Sequence, residues 1–214
     1  MRAALIGLAL YSATGLAALG GMTAAPALAA PTSIALPSGK YVLDPTHASL
    51  TWRVVHFGLS NYTARFAKFD ATVDLNAADV SKSSLKVKVD PTSVRTDYPY
   101  PDKVNFDAEV GTSPKFLDGT AHPDVTFVST GIVVTGPKTA NITGNLTLRG
   151  VTKPVTLAAT LNGSIPAHPM TKLPVFGISA KGSFKRSDFG MDYGTQFVSD
   201  TVELAIEAEF NKAP

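Results

Sequence analysis

The chain has 214 residues, 19 basic and 17 acidic side chains, a net charge of +2 and no cysteine. Without cysteine there are no disulfides, thiolate metal sites or thiol catalysis, so an exported form must hold itself together by its core. Charge is nearly balanced and no basic cluster stands out, which gives no footing to nucleic-acid binding by a positive face.

Residues 1–29 read as a secretory signal peptide. Arg2 is the one charge there, an apolar run extends from Ala3 to about Leu19, and Ala27-Leu28-Ala29 supplies an A-x-A cleavage site. The alternative is an uncleaved anchor, since the run approaches spanning length. Residues 30–39, with Pro31, Pro37 and Gly39, read as a flexible leader, and 40–211 as one domain.

From Lys40 onward strand patterns recur between turn signals. Leu50, Trp52, Val54 and His56 alternate with polar neighbours. After a turn at Gly58–Asn61 come Phe69, Ala71, Val73 and Leu75, then Leu85, Val87 and Val89 between lysines and an aspartate. The stretch 98–119 breaks the pattern, and the spacing over Val104–Val110 predicts a short helix. Val125 and Phe127 open another strand. Ile142–Leu148 and Val155–Leu161 form a hairpin turning at Gly150, with Pro154 placed at a strand start. Phe176–Phe184 and Val202–Phe210 complete about eight strands.

The pattern predicts an all-β fold. Eight mostly antiparallel strands with one apolar face each can close into a barrel, which removes exposed sheet edges. Such a barrel is just wide enough to be filled by side chains or to hold one small ligand. Small residues at inward positions (Ala71, Gly144, Ala159, Ala180, Gly182, Ala208) favour space; Trp52, Phe69, Phe127 and Phe184 are large enough to fill it.

The hairpin Gly144-Asn145-Leu146-Thr147-Leu148-Arg149-Gly150-Val151-Thr152-Lys153-Pro154-Val155-Thr156-Leu157 resembles the central hairpin of the YceI-like family of periplasmic polyisoprenoid-binding proteins. Four further stretches resemble the same family in order: Asp44–Gly58, Lys115–Asp118 with His122–Thr130, Phe184–Met191, and Val202 onward. The resemblance covers about Tyr41–Asn211. It departs at Phe106–Gly111, where many members carry Arg-Asp-x-His-Leu, so ligand identity does not carry over. It implies an extended lipocalin-like antiparallel eight-stranded β-barrel with one short helix in a long inter-strand connection. It also implies a periplasmic carrier enclosing an isoprenoid lipid, a polyisoprenoid or quinone, without covalent chemistry, and makes a homodimer plausible.

On strand parity the ligand-binding residues are Trp52, Val54, His56, Phe69, Val87, Phe127, Leu146 and Phe184, with no catalytic or metal site and no cofactor beyond a bound lipid. His56 reads either as a polar anchor for a head group or as a buried, satisfied histidine. His47 lies on the opposite parity, so pairing it with His56 on a metal would need a bulge. His122 reads as structural and His168 as solvent-exposed. Arg149 and Lys153 either meet a membrane or head group in transient contact or solvate their turn. Arg186 and Asp188 are expected to pair or cap a turn, with Phe189 against the barrel end. Two other functions stay open: an enzyme using His56 and a nearby carboxylate as acid and base, and a filled barrel serving as a protein-interaction module.

Overall fold

The computed structural model describes residues 33–214; the signal-peptide segment lies outside the described residues. Ten strands follow in chain order: β1 (Gly39–His56), β2 (Ser60–Phe66), β3 (Phe69–Leu75), β4 (Ser84–Val89), β5 (Val94–Arg95), β6 (Val125–Gly136), β7 (Thr139–Leu148), β8 (Val151–Ile165), β9 (Val175–Lys185) and β10 (Thr201–Lys212). The helix α1 spans Phe106–Thr112, close to its expected place between the fifth and sixth strands.

All these strands pair antiparallel, and β10 pairs back onto β1 to close the barrel. The other flank of β1 is shared: Gly39–Val42 pair with β3 and Leu50–His56 with β2. β2 and β3 are thus two halves of one bent strand, opposite a register shift in β1 between Leu43 and Ala48. That makes eight strand positions around the wall, with β5 a two-residue extension on β2. Strand β2 went unread in the sequence, although Tyr62, Ala64 and Phe66 alternate with Asn61, Thr63 and Arg65.

The β7–β8 turn consists of Arg149 and Gly150, both at positive φ (52° and 75°), as a two-residue hairpin that follows the strand twist requires. Pro154 is not at the strand start. It is the fourth residue of β8, before pairing with β9 begins at Leu157, where a missing N–H is tolerated. Gly144 and Gly182 do not leave empty space as expected. A Cβ on Gly144 would fall against the Phe127 ring and 2.6 Å from the Val128 carbonyl oxygen, and one on Gly182 would lie 2.6 Å from Leu157 Cδ2. These glycines admit large neighbours.

One end of the barrel is sealed. Tyr41 packs edge-on against Phe176 there, and Phe176 stacks on Phe210, with ring centroids 5.2 and 5.1 Å apart. Residues 33–38, expected as a loose leader, pack across this end: Leu36 is buried and the Ile34 N–H donates to the Ala77 carbonyl at 3.0 Å. The opposite end is framed by the β1–β2 turn, the connection 96–122, the β7–β8 turn and the loop 186–200.

Candidate functional site

Between the sealed and framed ends lies a cavity of about 670 Å³, within the range that ligand pockets occupy. Its deep wall is Leu43, Ala71, Leu85, Ile142, Ile178 and Phe210. The alternation of apolar and polar residues along each strand puts these side chains inside. The polar lining residues, among them His56, Tyr62, Tyr98, Tyr193 and Gln196, come from the strand ends and loops of the open end. The chamber therefore has a long apolar body and a polar mouth. No carboxylate lines it among the described residues.

All eight residues selected by parity lie on this wall: Trp52, Val54 and His56 from β1, Phe69 from β3, Val87 from β4, Phe127 from β6, Leu146 from β7 and Phe184 from β9. The β1 bulge falls before Leu50, so the inward parity of Leu50, Trp52 and Val54 is preserved. The Trp52 indole N–H is buried with no hydrogen-bond partner among the described residues. His56 is not a buried histidine. It is exposed at the mouth, edge-on to Phe57 with centroids 4.7 Å apart.

Other wall residues escaped strand parity because they sit on β2 or outside the strands: Tyr62, Phe66, Tyr98, Phe106, Phe116 and Phe197. The available signal was the aromatic density of the irregular stretch 98–116. Here α1 is held by Asn105, whose side chain accepts from the Ala108 N–H at 3.0 Å, and by Asp107. Asp107 accepts from the Thr96 N–H (2.7 Å) and hydroxyl (2.6 Å). Burial raises the pKa of this carboxyl, but the Thr96 hydrogen bonds and the nearby Arg95 and Arg65 outweigh it, leaving a net lowering.

Arg186 does not pair with Asp188, which is exposed. It is buried and donates to four backbone carbonyls: Ser199 (3.0 Å), Met191 (3.0 Å), Tyr193 (2.8 Å) and Val198 (3.0 Å). Burial lowers its pKa, against the opposing pull of Asp200 and Asp192. The guanidinium is the frame on which the loop 191–199 is folded over the mouth. Phe189 is buried against Phe184, centroids 5.3 Å apart, as expected.

Arg149 is likewise not free to meet a head group. It donates to the carbonyls of Pro114 (2.7 Å) and Phe116, tying the β7–β8 turn to the segment beneath it. Lys153 is exposed. His122 packs beside Gly150, and His168 is half-buried, not solvent-exposed. His47 sits on the outer surface, its Nδ1 3.0 Å from Asp44 and 3.9 Å from Glu209. Remote from the cavity wall, these three could offer ligand atoms to a cation, but the His47–Asp44 hydrogen bond and the longer ion-pair contact with Glu209 already account for the arrangement.

A closed antiparallel barrel around an apolar chamber defines the class of cavity-containing β-barrels. The model of the YceI-like domain matches residues 41–210, and the chain belongs to that family. It is 35% identical over 174 residues to a UPF0312 protein of Pseudomonas putida, covering 80% of this chain and 86% of that one. A UPF0312 protein of Pseudomonas fluorescens is 37% identical over 163 residues, covering 76% and 80%. Among solved structures, the Campylobacter jejuni YceI protein superposes with a TM-score of 0.64 at 28% identity, covering 73% of this chain and 88% of that one. A polyisoprenoid-binding domain from Saccharophagus degradans implicated in plant cell wall breakdown shares the fold at TM-score 0.56 and 13% identity, covering 83% and 100%.

Proposed function

We propose that this protein is a periplasmic carrier that encloses the chain of an isoprenoid lipid, a polyisoprenoid or an isoprenoid quinone, without covalent chemistry. The observation that carries the reading is the polarity of the cavity: apolar from Phe210 to Val54, polar only at its mouth. An amphiphile entering tail-first meets matching surface along its length. Burial contributes on the order of 0.8 kcal/mol per CH₂, and ordering the chain offsets part of that. The polyisoprenoid-binding neighbour and the family membership support a lipid ligand. An acid–base enzyme is the weaker reading, because the wall offers His56 no carboxylate among the described residues.

Trp52 is the only tryptophan and forms part of the wall, so its fluorescence reports occupancy directly. Adding a polyprenyl quinone is expected to quench it with saturable, stoichiometric dependence. Trp52→Asp, which places a charge against the tail, is expected to abolish lipid retention while the circular dichroism stays that of a β-protein. Full retention by a folded Trp52→Asp variant would refute the assignment of the wall.

A further inference from the structure

The framed end carries an apolar surface that extends outward past the lining of the cavity. Leu59, at the tip of the β1–β2 turn, is 86% exposed and does not line the cavity. Beside it Phe57 and Phe197 stack with centroids 5.0 Å apart, and both are about half exposed. The arrangement is fixed: Phe57, at φ 50°, donates its N–H to the Phe197 carbonyl at 2.7 Å, and Arg186 anchors the loop that carries Phe197. Exposed apolar groups clustered in this way mark an interaction surface.

The charge distribution identifies what it meets. The two foremost segments, Phe57–Asn61 and Tyr193–Ser199, contain no acidic or basic residue; Asp192 and Asp200 flank the second, both acting on the buried Arg186 that anchors it. Cations stand behind them on aromatic faces: Lys115 lies 4.9 Å from the Tyr193 ring centre and Lys103 5.0 Å from that of Tyr100. Uncharged apolar tips backed by tyrosines and lysines form the pattern that seats a protein at a bilayer interface, tips among the acyl chains and ammonium groups at the phosphates. Phe57 and Phe197 also line the cavity, so the surface is continuous with the wall.

We propose that this end docks on a phospholipid bilayer through Leu59, Phe57 and Phe197, and that lipid passes between membrane and cavity through the docked mouth. The inference rests on the carrier reading. It has a physical motive: an isoprenoid tail crossing open water exposes every methylene the bilayer had covered, whereas a docked mouth keeps it covered throughout. The contact is made by this tip; Arg149, considered for that part from the sequence, is engaged with Pro114 and Phe116.

The cysteine-free chain allows a single reporter at a chosen site. Leu59→Cys and, at the sealed end, the exposed Val133→Cys are each labelled with an environment-sensitive fluorophore. Each is then mixed with phosphatidylcholine vesicles, with or without phosphatidylglycerol, that carry a lipid-bound quencher. Quenching at position 59 and none at 133 is the expected result. Equal quenching at both sites, or none at 59, overturns the proposal. So does a change at 59 that follows protein concentration without vesicles, which would make the tip an interface between copies. In the same samples the bound isoprenoid is extracted and quantified: a lipid-loaded chain silent at 59 sinks the docking and spares the carrier reading. In an unlabelled Leu59→Asp variant, uptake from vesicles is expected to slow by about tenfold or more with equilibrium occupancy unchanged. An uptake rate equal to wild type contradicts the proposal.

Discussion

Arg186 shows how one residue can organise a site by binding the backbone around it. Its planar fork answers four carbonyls that the loop 191–199 would otherwise bury unpaired. Arg186→Leu is expected to lower the urea-unfolding free energy by about 3 kcal/mol or more. Arg186→Lys should rescue little, since an ammonium has three donors and no fork. The Asp44–His47 pair predicts a pH signature. Hydrogen bonds from Thr46 and His47 lower the Asp44 pKa to about 2, so its contribution is present above the ordinary value of 3.8 and lost as pH falls below it. The Asp44 hydrogen bond raises the His47 pKa, so that contribution is complete below 6.5 and lost as pH rises through the folded value. Thermal melts of wild type and His47→Asn should therefore differ most between about pH 4 and 6.5 and converge at higher pH. A difference that persisted undiminished at pH 9 would contradict the assignment.

At the scale of elements, the β7–β8 hairpin and the connection 96–122 act as one unit. Arg149 bonds the turn to Pro114 and Phe116, and Phe116 packs edge-on to Tyr193, centroids 5.7 Å apart. Arg149→Ala is expected to speed amide hydrogen exchange over residues 113–122 while leaving β8 and β9 protected. The strands were legible because period-2 alternation sets inward parity directly; Leu85–Val89 and Val202–Phe210 needed nothing else. Trp52 and Phe127 were placed on the wall by the same rule. The rule says nothing about Phe106, Phe116 or Phe197, whose positions depend on Asn105, Asp107, Arg149 and Arg186 binding backbone outside the ten strands. The roles of Arg149 and Arg186 were also illegible, because a side chain bonded to carbonyls 33 or more residues away, or folded over by its own loop, leaves no local spacing to read.

For the molecule as a whole, the two ends of the barrel divide the work. Tyr41, Phe176, Phe210 and the packed segment around Leu36 close one end, while the loops at the other leave the chamber open beside an apolar tip. A filled barrel would have its large inward rings meeting across the axis. Here Gly144 and Gly182 let Phe127 and Leu157 lie along the wall, and the axis stays open. The central claim, that this chamber carries an isoprenoid chain, is tested most directly by native mass spectrometry of the protein recovered from cells, with organic extraction of any bound species. A stoichiometric isoprenoid adduct is predicted. A ligand-free protein that also refuses added polyprenyl lipids would contradict the account and leave the barrel as an interaction module.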